Sequence, residues 1–254
     1  ICEVIQNEEF FKIMKLLAID TSNRPLSVAV LEDTQILATT TTNVGRNHSS
    51  TLLPIIEQAM AQAKLAPADL DRIVVAAGPG SYTGLRIGVT TAKTLAFTLD
   101  KALVGVSSLA VLAGNIVTEG QLVAPLFDAR RDNIFAGLYR IKNQRPVAVI
   151  ADQHISVTEW GQRLASYDEP ITFVGADVDQ YADALQQSLA KQFVRAAPQL
   201  DLPQAVVLGL MGRTLTPVSE IHNFVPNYLR LTQAERDWQA KHPEKEHAPY
   251  VEKI

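Results

Sequence analysis

LLAIDTSNRPLSVAV (Leu16–Val30) and APLFDARRDNIFAGL (Ala124–Leu138) decide how this chain folds. In each, an apolar run ends in an aspartate, Asp20 in the first and Asp128 in the second. Six residues after each aspartate a second apolar run opens, at Leu26 and at Ile134. The shared pattern is strand, acidic turn, strand, so the spacing points to an internal duplication.

Outward from the first copy, Lys15–Ile19, Leu26–Leu31 and Gln35–Thr40 are short β-rich runs separated by turn residues, which predicts an antiparallel meander. Apolar residues at helical spacing (Leu52, Ile55, Ile56, Ala59, Met60, Ala63) predict a helix over about Ser50–Lys64. Ile73–Ala77 reads as a buried strand, Leu85–Leu99 as a helix and Leu103–Val106 as a strand, with Ser107-Ser108 as the N-cap of a further helix. After the second copy come helical stretches at Thr158–Ala165 and Val206–Leu215 around a strand at Ile171–Gly175. Two ββ(β)αβα halves predict an α/β protein of the duplicated ribonuclease-H-like kind, the architecture of actin and sugar kinases. The expected divisions are 1–13 as a leader or extension, 14–108 and 109–216 as two subdomains, and 217–254 as an irregular segment with a polar tail. Met14 opens the regular pattern and is read as the native start.

With 47% hydrophobic and 20% charged residues, the chain has an ordinary globular composition. A formal charge of -4 argues against a broad nucleic-acid-binding face, though not against a local basic patch. Cys2 is the one cysteine, which excludes a disulfide framework and a cysteine-based zinc site within the chain. No apolar run reaches the roughly 18 residues that span a bilayer, and the acidic first thirteen residues do not form a signal peptide. A cytoplasmic location and no membrane partner are expected.

GPGSYTGLR (Gly78–Arg86) sits where a phosphate loop would, between a strand and a helix. Its G-x-G-x-x-x-G spacing is one residue too long for the dinucleotide fingerprint, and no Gly-Lys-Ser/Thr closes it as a Walker loop. The glycines serve either a tight turn or close backbone approach to a ligand. Arg86 and the helix N-terminus would favour an anion. Along the helix that follows, Leu85, Gly88, Val89, Ala92, Leu95, Ala96 and Leu99 form the stripe expected on the sheet. The opposite face carries Arg86, Ile87, Thr90, Thr91, Lys93, Thr94, Phe97 and Thr98. It lacks a carboxylate and is rich in β-branched residues, which makes it a poor solvent face. The preceding helix has a wide apolar arc edged by Leu53 and Met60. Two undercharged neighbouring helices suit either an interface with another chain or burial under this one. A specific interface takes about 800 Å² per partner, which two such helices can supply.

No catalytic or metal-binding set emerges. His48 has Leu52 four positions on, where a helical zinc pair needs its second ligand. With Asn47 and Ser49 it reads as a helix cap. His154, His222, His242 and His247 are scattered, and no G-x-S-x-G elbow occurs. Asp20 and Asp128 could flank a magnesium–phosphate group, with Ser81 as a further nucleotide or anion contact, although the turns beside the aspartates lack phosphate-cradling glycines.

MKLLAIDTS (from Met14), NHSSTLLPII (Asn47), GPGSYTGLRIGVTTAKTLA (Gly78), GVSSLAVLA (Gly105), FDARRDNIFAGLY (Phe127) and PNYLR (Pro226) together resemble the bacterial TsaB (YeaZ) family, in family order. The resemblance implies the duplicated actin-like fold. It also implies a non-catalytic subunit paired with TsaD, the paralogue that transfers a threonylcarbamoyl group to the adenosine at position 37 of tRNAs reading A-starting codons. A TsaE-type ATPase joins that complex, contact with tRNA is indirect, and the subunit self-associates when alone. No cofactor is required by the chain itself, while ATP or ADP with magnesium is allowed at the junction with the partner. The partner-binding residues would be Leu53, Ile56, Met60, Arg86, Ile87, Thr90, Thr94 and Phe97. Competing readings are an actin-like ATPase or kinase using Asp20 and Asp128, and, more remotely, a glycoprotease-like peptidase.

Overall fold

A computed structural model describes residues 13–44 and 47–230. Expectations that fall on Cys2, on the leader before Ile13 or on the polar tail with His242 and His247 lie outside the described residues. The first half opens with β1 (Lys15–Asp20), β2 (Leu26–Glu32) and β3 (Gln35–Thr42), an antiparallel meander in which Asp20 faces Ser27. Next come α1 (His48–Ala63), β4 (Arg72–Gly78), α2 (Tyr82–Leu99), β5 (Ala102–Ser107) and α3 (Ser108–Ala113). β4 pairs parallel with both β1 and β5, which gives the order β3-β2-β1-β4-β5.

The second half repeats this plan. β6 (Leu122–Asp128), β7 (Asn133–Lys142) and β8 (Arg145–Ser156) form the meander. α4 (Val157–Leu164), β9 (Ile171–Val174), α5 (Val178–Leu189), β10 (Phe193–Arg195) and α6 (Ala205–Gly212) follow. Its sheet runs β8-β7-β6-β9-β10, the same order as the first. The duplicated ribonuclease-H-like α/β fold is therefore present, and Asp20 and Asp128 end equivalent strands.

Both sheets are covered on both faces, which is why their central strands read as continuous apolar runs. In the first sheet Leu17, Ile19, Ile73 and Val75 point to α1 and α2. Leu16, Ala18, Val74 and Ala76 point the other way, to α3 and α6. The third helix of each half crosses over: α6 packs on β1 and β2, while α3 packs on β6 and β7. Such a position explains why α6 (AVVLGLMG) is apolar all round. A Cβ on Gly212 would stand 2.2 Å from Val74 Cγ1, so only glycine lets α6 approach β4 this closely. At the crossover the Ser107 hydroxyl accepts from Ala110 N, capping α3, and also donates to Asp152 of β8, which accepts from Tyr139 as well.

Two helices start earlier than their periodicity suggests. α1 begins at His48, and α2 begins at Tyr82 because Ser81 Oγ caps it by accepting from Gly84 N (3.3 Å). The sequence reading passed over β8 and α5. Residues 217–230 hold one short 3₁₀ turn, Ile221–Asn223, and run as a strap along α2: Val218 N donates to Leu103 O, and Asn227 N to Ala77 O.

Candidate functional site

The glycine turn after β4 is shaped by what lies beneath it. Ser81 N donates to Ser22 O (2.7 Å), and Thr21 Oγ1 donates to Gly84 O (2.7 Å). A Cβ on Gly80 or on Gly84 would stand 2.1 Å from the carbonyl oxygen of Ser22 or of Thr21. Gly78, at φ +112°, packs against Asn227 O of the strap. The glycines therefore let the turn close over the β1–β2 connection. Asp20 is sealed beneath it, 1% exposed, with Oδ1 accepting from Ser22 N and Ser22 Oγ. Burial pushes its carboxyl above the usual range, against the opposing pull of the Ser22 bonds and of His48. This corrects the expectation that Asp20 flanks a metal–phosphate group: the carboxylate does not reach the cleft.

Asp128 closes the same local turn, with Oδ1 accepting from Arg130 N (2.7 Å), but no glycine loop covers it. Tyr181 OH donates to it (2.7 Å), while its own N–H donates to Asp177 Oδ2 (2.9 Å). Burial raises the Asp177 carboxyl, with a smaller contribution from Asp128 and an opposing one from Arg24. Arg130, Arg131 and Asp132 follow in three successive left-handed conformations, at φ 67°, 55° and 58°. Between the halves lies a cleft of about 890 Å³. Arg24, His48, Ser81, Thr83 and Ile87 line it from the first half, Asp128, Arg130, Arg131, Phe135 and Asp177 from the second, and Tyr228 and Arg230 from the strap. Of the proposed anion contacts, Ser81 and Asp128 thus share one cavity.

The expected partner residues divide between surface and core. Leu53 and Phe97 are 58% and 60% exposed, and Arg86, Thr90 and Thr94 are exposed beside them. Ile87 is half-buried and lines the cleft. Ile56 and Met60 are corrected: at 7% and 5% exposed they belong to the core between α1 and the first sheet, because α1's apolar arc is turned further inward than its width suggested. The strap covers part of the α2 face. Lys93 Nζ donates to His222 O (2.8 Å) and Phe224 O (2.7 Å), Phe97 meets His222 edge-on at 4.8 Å, and Tyr82 lies 4.8 Å from Tyr228. Arg86 sits over Tyr82 and donates to Tyr228 OH. A hollow of about 270 Å³ stays open among Thr90, Lys93, Thr94, Phe97, Ile221 and His222.

Among the described residues no three His, Cys, Asp or Glu side chains gather as a metal site. Leu52, four residues after His48, is buried in the core. His48 is not a cap. Its Nε2 lies 3.0 Å from Asn23 O, tying α1 to the β1–β2 turn, and Asn47 makes no side-chain cap bond. The residues that sequence reasoning missed are Arg24, Asp177, Tyr181 and the strap's His222. The strap's signal was the PNYLR phrase rather than any periodicity.

Comparisons with known proteins agree with this geometry. The family model described as "TsaD: tRNA N6-adenosine threonylcarbamoyltransferase" matches residues 35–238. The tRNA threonylcarbamoyladenosine biosynthesis protein TsaB of Bacillus subtilis is 40% identical over 226 residues, covering 89% of this chain and 98% of the relative. TsaB of Escherichia coli is 33% identical over 100 residues, 39% of this chain and 43% of the relative. YeaZ from Pseudomonas aeruginosa superposes with a TM-score of 0.72 at 28% identity, covering 85% of this chain and all of that one. With near-complete coverage of a TsaB sequence, and a YeaZ structure reproducing its fold, the chain belongs to the TsaB (YeaZ) family.

Proposed function

We propose that this chain is a non-catalytic subunit of the cytoplasmic machinery that forms threonylcarbamoyladenosine on tRNA. In this reading it holds a TsaD-type transferase through the outer face of α1 and α2. The TsaE-type ATPase joins the same assembly, and tRNA is met through the partner. The observation that carries the reading is the α1–α2 surface: Leu53 and Phe97 stand exposed beside Thr90 and Thr94, and α2 carries no carboxylate from end to end. Water favours charged side chains on such a face, and a protein partner favours their absence. The same surface offers a route to a homodimer when the transferase is absent. ATP or ADP with magnesium is assigned to the junction with the partner, since Asp20 is sealed and Asp128 already accepts from Tyr181 and from Arg130 N.

The test is association. Thr90→Glu and Phe97→Glu place a carboxylate where docking would strip it of water, at a cost of about 3–5 kcal/mol. Calorimetric titration against the transferase should show affinity falling at least a hundredfold, with the circular dichroism spectrum and melting temperature of the free chain unchanged. Undiminished affinity in both variants would remove this face from the interface.

A further inference from the structure

We propose that the cleft between the two halves binds a small phosphorylated anion of nucleotide size, through arginines and without a divalent metal. Arg24, Arg130, Arg131 and Arg230 reach the cavity from three separate stretches of chain. Arg230 is anchored by donating to Ala129 O (2.6 Å). The Arg130 and Arg131 side chains make no ion pair among the described residues. Guanidinium groups present paired donors that match phosphate oxygens, and several around one concavity favour a multiply charged anion.

The cavity's two carboxylates do not cancel that charge. Asp128 accepts from Tyr181 OH and from Arg130 N, and Asp177 accepts from Asp128 N. A divalent ion needs a set of free oxygens, and the strand-end carboxylate of the first half is sealed under the glycine turn. Opposite the arginines stand Ser81 and Thr83, at the N-terminal end of the eighteen-residue α2, whose dipole adds to the attraction. Tyr228 and Phe135 complete the lining with aromatic surface. A volume of about 890 Å³ fits a nucleotide-sized ligand. The whole chain has a formal charge of -4, so this positive concavity is a local feature and not a general affinity for polyanions.

Isothermal titration of the isolated full chain tests this, and its outcome is separate from that of the partner assay. With chelator present, inorganic tripolyphosphate and ADP are titrated in turn. Dissociation constants on the order of tens of micromolar are expected. Equal affinities would show that the phosphates alone are read, and tighter ADP binding that the aromatic wall also contributes. The double variant Arg130→Gln/Arg131→Gln should weaken binding at least tenfold, as should Arg24→Gln, while Lys142→Gln, an exposed charge outside the cleft, should change nothing. The proposal is overturned by any of four results: no heat at millimolar ligand, binding that appears only with magnesium, equal loss in Lys142→Gln, or binding of single-stranded RNA but of neither compound.

Discussion

Asp20 and Asp128 show how much a sequence reveals at a single position and where that stops. Both end an apolar strand, and both fold their carboxylate onto the amide two residues ahead, so the likeness read from the sequence extends to hydrogen bonds. Their different fates were not legible, because the cover over Asp20 comes from Gly80 and Gly84, some sixty residues away, and depends on backbone approach that no local pattern encodes. Sealing has a consequence in pH. Folded Asp20 keeps its proton to higher pH than an unfolded aspartate, whose pKa is about 3.9. The folded chain therefore binds more protons than the unfolded one, and stability falls as pH rises through the raised value. We predict that Asp20→Asn flattens this fall, leaving the contributions of Asp152 and Asp177, which have the same sign. Urea unfolding of both proteins at several pH values between 4 and 8 would check it, and an unchanged slope would refute the assignment to Asp20.

For whole elements, legibility followed the width of the apolar stripe. α1 and α2 were readable from theirs, whereas α5 presents only Val178, Tyr181, Leu185 and Leu189 among polar residues and was missed. β8 was missed for a related reason, since as an edge strand it is half solvated and lacks a clean alternation. The strap could not be read from periodicity because its order is borrowed: carbonyls of His222 and Phe224 accept from Lys93, and Phe224 fills the space over Gly105. Arg72 of β4 does similar work for α6. Its Nη1 donates to the carbonyls of Gly212 (2.7 Å), Arg213 (2.8 Å) and Leu215 (3.0 Å), a cation at a helix C-terminus. Arg72→Met should cost about 2–3 kcal/mol, read as a lower urea midpoint, with Arg72→Lys recovering part of the loss. Equal stability of the methionine variant and the parent would mean that these bonds contribute nothing net.

Across the whole molecule the duplication was legible but the exchange of third helices was not, because an apolar octapeptide such as α6 does not name the sheet it will cover. The exchange makes each half incomplete. Without α6, the face of β1 and β4 that carries Leu16, Ala18, Val74 and Ala76 would meet water. A fragment spanning residues 14–108 should therefore stay largely unfolded by circular dichroism, and the intact chain should melt in one cooperative transition. A well-folded fragment, or two resolved transitions, would contradict this.

The exchange also limits how the molecule can move. α3 and α6 touch each other and lie between the two sheets like rods between slabs, and the crossing at Ser107 is tied to Asp152. A pivot needs a slack joint, and this crossing is buried and bonded. Any widening of the gap between the halves must then be a glide of one slab along the rods, short in travel, with the oily surfaces staying dry throughout.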